Sequence, residues 1–148
     1  MNENDLNVFI DGATNYFKQM SDRPAVVETP YLEENGAAVS HEFTGIIGIS
    51  GKKKGCVYFT APVSLLKHLL LTIGELDTSQ DALSDLVGEV ANTIAGNARS
   101  YFGSEFMISV PIVVQGKTEG IKLPTDSRAY VIPMTWRKHE AAIVVSLE

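Results

Sequence analysis

The stretch Gln80–Phe102 constrains the fold more than any other part of the chain. Wound at about 100° per residue, it gathers Leu83, Leu86, Val87, Val90, Ala91, Ile94, Ala98, Tyr101 and Phe102 on one broad arc. Asp85, Glu89, Asn92, Thr93 and Gly96 fall on the opposite side. Such a helix has to bury its apolar arc, and the neighbouring sequence supplies strands for it to lie on. Residues 25–33, 37–49 and 56–60 precede it as β-compatible runs, with turns at Glu34-Asn35-Gly36 and over residues 50–55. Together they read as an antiparallel meander. Residues 105–115, 128–136 and 141–147 follow as three more strands, with a loop over 116–127.

Two shorter helices complete the pattern. Residues 6–20 place Leu6, Phe9, Ile10, Ala13, Phe17 and Met20 near helical spacing, with Asp5 as the expected N-cap and Ser21-Asp22-Arg23-Pro24 as the stop. Residues 63–73 follow Pro62, which suits the first turn of a helix. Gly103 ends the long helix. Strands that come in runs of three, not alternating with helices, imply an α+β fold. The expectation is three helices and about six antiparallel strands, with the long central helix packed on the sheet. A chain of 148 residues has the size of one domain, here 1–148.

Composition excludes several functions. A net charge of −6 repels phosphate backbones and anionic lipid, so neither nucleic acid nor a membrane is an expected partner. The first residues lack the basic and then apolar run of a signal peptide. No apolar run approaches the ~20 residues needed to span a bilayer; the longest, residues 65–73, is interrupted by Lys67 and His68. The single cysteine, Cys56, rules out a disulfide within the chain and reads as a small buried hydrophobe, which fits a reducing, cytoplasmic location. His41, His68, His139 and Cys56 show no metal-ligand spacing, so no metal site is expected. The glycine-rich residues 45–55 miss the Walker spacing by one residue, and Lys53 stands where a Ser or Thr should hold magnesium. A strand and hairpin turn account for them better. There is no Gly-x-Ser-x-Gly elbow and no Ser, His and Asp set.

What is left is the polar face of the long helix. Glu89 and Asn92 are three residues apart and therefore neighbours on it. A Glu and an Asn on a solvated face are ordinary, but two features are not. Asn is a mediocre mid-helix residue, and Gly88 and Gly96 each cost roughly 1 kcal/mol relative to Ala in a helix interior. Gly96, one turn beyond Asn92, leaves the surface low, so that another protein can approach closely. The alternative is that either glycine relieves crowding against a neighbouring element.

Asp85-x-x-x-Glu89-x-x-Asn92, followed by Ile94-Ala95-Gly96-Asn97-Ala98, resembles the active-site helix of the CheC, CheX and FliY chemotaxis phosphatases. A single copy of the motif is similar to CheX, whereas CheC usually carries two; the first helix has Asp11 and Asn15 but no Glu-x-x-Asn. Ser109-Val110-Pro111 followed by Gly116 looks like the strand after that helix, and the element order is similar over roughly residues 5–147. The resemblance implies hydrolysis of the aspartyl phosphate of a CheY-type response regulator. Asn92 would orient the attacking water and Glu89 would anchor a lysine of the regulator. Magnesium would belong to the regulator, with no cofactor on this chain. The resemblance also implies a homodimer formed by joining sheets. Asp85 and Gly96 are the candidate partner-binding positions. Asp85 either touches the partner or remains a solvated charge. Asn97, roughly 140° from Asn92 on the wheel, is expected to be structural. The competing readings are a non-enzymatic adaptor for a regulator or a flagellar-switch component, a CheC-like partner of a receptor deamidase, and a domain serving a regulator outside chemotaxis.

Overall fold

The computed structural model describes residues 1–33, 39–116 and 128–148. The expected turn at Glu34-Asn35-Gly36 and nearly all of the 116–127 loop lie outside the described residues. In chain order the elements are α1 (Glu3–Met20), β1 (Val26–Val27), β2 (Tyr31–Glu33), β3 (Phe43–Gly51), β4 (Gly55–Ala61), α2 (Val63–Thr72), α3 (Gln80–Phe102), β5 (Phe106–Ile108), β6 (Ile112–Gln115), β7 (Ala129–Trp136) and β8 (His139–Leu147). All strands described join one antiparallel sheet in the order β1-β7-β8-β4-β3-β5, with β2 also on β7 and β6 also on β3. The α+β class and the long helix on the sheet are as expected.

The strand count differs for a definable reason. Two of the six expected strands are each broken by a bulge, so six ladder positions carry eight segments. Between Glu28, whose N–H donates to Pro133 O, and Tyr31, opposite Val131, Thr29 and Pro30 stand against Ile132 alone. Between Ile108, opposite Ile49, and Ile112, opposite Ile46, Ser109-Val110-Pro111 stand against Ile47 and Gly48. Both breaks hold a proline, which has no N–H for a ladder and is confined to edges and bulges. The meander is also corrected: β1 and β2 pair with β7, not with β3. Every residue of β4 is buried. Such a strand needs neighbours on both sides, and β3 and β8 fill them.

Helix ends follow local chemistry. The first helix begins a turn earlier than expected, because Asn2 and not Asp5 is its N-cap. Asn2 Oδ1 accepts from Asp5 N at 2.9 Å and Asp5 Oδ2 accepts from Asn2 N at 3.2 Å, a reciprocal capping box. Pro62 is the N-cap of α2 and lacks a side-chain donor or acceptor. Glu42 Oε1 takes its place, accepting from Val63 N at 3.1 Å. Ser79 caps α3, and Gly103, at φ 101°, ends it.

α1 and α3 cover one face of the sheet. Phe43, Ile47 and Ile49 of β3 meet Leu86, Val87, Val90 and Ala91 of α3, and Phe9, Ala13 and Phe17 of α1 complete the same core. Phe17 lies 5.7 Å from Trp136, ring to ring, and Trp136 Nε1 donates to Ser21 Oγ and Arg23 O. Cys56 is buried, which pushes its thiol up to about 11. The helix lies close against the sheet at Gly45. A Cβ there would lie 2.7 Å from Val87 O and 3.2 Å from Ala91 Cβ.

Two histidines 71 residues apart meet where α2 crosses β8. His68 Nδ1 and His139 Nε2 are 3.0 Å apart, and His139 Nδ1 is 3.2 Å from Ser64 Oγ. Sequence spacing had separated them, and only the fold brings them together. Burial, and then the neighbouring His68, hold His139 below its ordinary 6.5. Around that value the unfolded chain therefore binds more protons than the native one, so stability falls as pH drops below 6.5.

Two outcomes are expected. Gly45→Ala forces β3 and α3 apart and costs about 1–3 kcal/mol in a urea titration; an unchanged midpoint contradicts the close contact. His139→Gln reduces the loss of stability between pH values above and below 6.5; an identical pH profile in both proteins removes His139 as its source.

Candidate active site

α3 is seated by its apolar arc, with Leu83, Leu86, Val87, Val90, Ala91, Ile94 and Ala98 buried. The opposite side therefore faces outward, and Asp85, Glu89 and Asn92 are all exposed. One member of the expected arc departs from it: Tyr101 is 55% exposed, its ring edge-on to Phe102.

The polar side chains along this face divide into two groups. Some are spent inside the molecule. Thr93 Oγ1 donates to Glu89 O at 2.9 Å, and Ser100 Oγ donates to Gly96 O at 3.3 Å. Asn97 Nδ2 donates to Val8 O at 2.9 Å, tying α3 to α1 in the structural role expected of it. Glu89, Asn92 and Asp85 make no side-chain hydrogen bond or ion pair with any described residue. Their polar atoms are free for an outside partner.

The two glycines separate in the same way. Gly88 is buried, and a Cβ on it would meet Pro111 Cβ and Val113 Cγ2 at 3.4 Å, an ordinary van der Waals contact. No described residue lies within 4 Å of where a Cβ on Gly96 would be. Crowding among the described residues therefore demands neither glycine.

An open cleft runs beside the exposed residues. Asp85, Gly88, Glu89 and Asn92 form one wall, and Val110, Pro111 and Val113 form the other. The second wall is a product of the bulge. Ser109 N donates to Gly48 O at 2.9 Å, and Ser109 Oγ accepts from Gly48 N at 2.8 Å, so a serine side chain completes the ladder there. The chain then swings out, leaving Val110 80% exposed beside Glu89 and Asn92. Sequence reasoning placed these residues in a strand and missed them as a wall. The signal available was Pro111 inside an otherwise β-compatible run.

On its other flank the face is acidic. Glu75, Asp77, Asp81, Asp85 and Glu89 line a second hollow where the α2–α3 connection meets α3. Asp77 is held below the usual carboxylate range by the backbone N–H and side chain of Ser79. This concentration of carboxylates favours a cationic group arriving from outside. Among the described residues, no group of three or more His, Cys, Asp or Glu is placed to hold a metal ion. Nor, among them, is any helix long and apolar enough to cross a membrane.

The family model described as chemotaxis phosphatase CheX matches residues 43–135, a span that holds α3, the bulge and the cleft. The chain belongs to the CheX family. Solved relatives agree with this over the full length. The CheC-like superfamily protein of Shewanella sp. PV-4 is 30% identical, with 100% of this chain and 99% of that one covered and a TM-score of 0.86. The chemotaxis protein CheX of Desulfovibrio desulfuricans is 26% identical, with 98% and 99% covered and a TM-score of 0.83. The CheX of a CheX–CheY–BeF3–Mg2+ complex from Borrelia burgdorferi, at 18% identity, shares the fold, with 97% of each chain covered and a TM-score of 0.76. No curated protein sequence is a significant match.

Because a Cβ on Gly96 would meet no described residue, Gly96→Ala should raise stability by about 0.5–1 kcal/mol through helix propensity alone. Chemical denaturation measures this; a loss of stability would mean that the space above Gly96 is filled.

Proposed function

We propose that this CheX-family chain hydrolyses the aspartyl phosphate of a CheY-type response regulator, with Asn92 holding the attacking water and Glu89 engaging a cation of the regulator. One observation carries the reading. Glu89 and Asn92 stand exposed on one helix face, with no side-chain hydrogen bond or ion pair to any described residue, at the mouth of a cleft. A Glu and an Asn on a solvated face are ordinary alone; here both line one cleft with the exposed Val110 and Pro111. The Borrelia burgdorferi CheX that shares the fold was solved with CheY, BeF3 and Mg2+, and this supports a CheY-type partner here.

The chemistry asks little of such a surface. Hydrolysis of an acyl phosphate joins a water oxygen to phosphorus as the bond from phosphorus to the aspartyl oxygen breaks. The bonding electrons leave with the aspartate carboxylate, and the water's protons pass to phosphate and solvent. Catalysis is then mainly positioning and charge stabilisation. The Asn92 carbonyl accepts a hydrogen bond from the water and its NH2 donates to a neighbouring oxygen. The amide thereby sets the oxygen's lone pair in line without itself reacting. Glu89, beside it, pairs with an ammonium group of the regulator and fixes the register of the two proteins. Asp85 extends the same acidic edge by one turn, and Gly96 lets the regulator's surface lie close to the helix. Magnesium, in this reading, is held by the regulator at its phosphorylated aspartate.

The test is phosphate release from phosphorylated CheY-type regulators of the same organism. The wild-type chain accelerates release; Asn92→Ala lowers the rate by about a hundredfold or more while still binding the regulator; Glu89→Ala weakens binding and turnover together. A wild-type chain that binds these regulators and leaves their phosphate loss unchanged is an adaptor, and the enzymatic reading fails.

A further inference from the structure

Buried hydroxyls ordinarily have a partner. Among the described residues two buried side-chain polar atoms have none, Tyr16 Oη and Arg137 Nε. The second belongs to a guanidinium that already pairs with Asp22 at 3.2 Å and lies over Trp136. Tyr16 is different. It is 3% exposed, it belongs to α1, and its hydroxyl is a donor left dry beside α3.

The crossing of the two helices shows what stands above it. Val8 O of α1 receives the Asn97 amide of α3, and a Cβ on Gly12 would lie 3.2 Å from Ile94 Cα. Moving one turn along α1 therefore moves one turn back along α3, so the helices run antiparallel. A further turn brings Tyr16 to the level of Val90 and Glu89. Glu89 is also the charged group that acts on Tyr16: burial first, and then this carboxylate, hold the phenol above its usual range. A protonated phenol and an ionised carboxylate are complementary, one a donor and the other an acceptor only.

We propose that Tyr16 is a positioning residue, whose hydroxyl donates to the Glu89 carboxylate when that side chain lies back against the α1–α3 contact, fixing its height and direction for the partner's cation. The inference rests on the role given to Glu89 above. An exposed glutamate samples many rotamers, and ordering it costs entropy when a partner docks. A buried donor beneath it selects one arrangement beforehand. The donor is unsatisfied whenever Glu89 turns away, so both groups gain from meeting.

Tyr16→Phe removes the hydroxyl and keeps the ring that packs edge-on to Phe17. Expected is a rise of about two- to tenfold in KM for the phosphorylated regulator, with kcat little changed and the thermal midpoint not lowered. In a Glu89→Ala background the same substitution has no effect on KM. An unchanged KM, or an equal rise with and without Glu89, overturns the proposal. A second readout uses the chain alone. In protein labelled with carbon-13 on tyrosine, the Tyr16 Cζ resonance, assigned by its loss in Tyr16→Phe, shifts in Glu89→Gln. A resonance that stays in place sinks the Tyr16–Glu89 link. Should no regulator be turned over, the phosphatase reading fails by itself, and the resonance still decides whether Tyr16 holds Glu89.

Discussion

The polar face of α3 is only as well placed as the contact beneath it, where the helix backbone at Val87 comes against Gly45 in the middle of β3. No side chain fits between them. The separation of helix and sheet is therefore set by backbone against backbone, a stiffer arrangement than two layers of interdigitating side chains. Ile47 and Phe43, on either side of Gly45 along the same face, fill the space where the helix lifts away. α1 then closes the arrangement from above, held to α3 by the Asn97–Val8 hydrogen bond and by Phe9 against Phe102. The exposed carboxylate and amide inherit this rigidity without contributing to it.

Beside this seat, the bulge at Ser109-Val110-Pro111 makes an edge of the sheet into one wall of a cleft. A continuous strand would have kept Val110 in the ladder. Instead the Ser109 side chain takes over a ladder bond, and the extra residue projects next to Glu89 and Asn92. Pro111 and Val113 lie against the helix at Gly88, 3.4 Å from where a Cβ would be. The same few residues thus set the depth of the cleft and leave its polar rim unsatisfied. Local free energy is lost at Gly88, Asn92 and Gly96, and the core below compensates for it.

Much of this was legible because period and placement agree along α3. The arc of Leu86, Val90 and Ile94 could be buried only one way, and that alone turns Glu89 and Asn92 outward. The helix spans Gln80–Phe102 and stops at Gly103, as expected. What escaped depended on partners distant in the chain. The bulges depend on what lies opposite Pro30 and Pro111. The pairing of β1 with β7 depends on which edge remains free once β4 has taken β3 and β8. The meeting of His68 with His139, and the crossing of α1 over α3 at Gly12 and Ile94, come from elements whose periodicities say nothing of each other. Asn2 was missed as a cap because Asp5 also suits that role, and only the reciprocal geometry separates them.

The central claim is that the free amide and carboxylate of this face meet an aspartyl phosphate. Its most direct measurement is a structure of the chain bound to its own response regulator with a stable phosphoryl mimic on the aspartate. The account predicts α3 against the regulator's active site, with the Asn92 amide within hydrogen-bonding reach of the position from which water attacks in line, and Glu89 on a regulator ammonium group. A regulator docked on another face, or on this one with Asn92 turned away from the phosphoryl position, would contradict it.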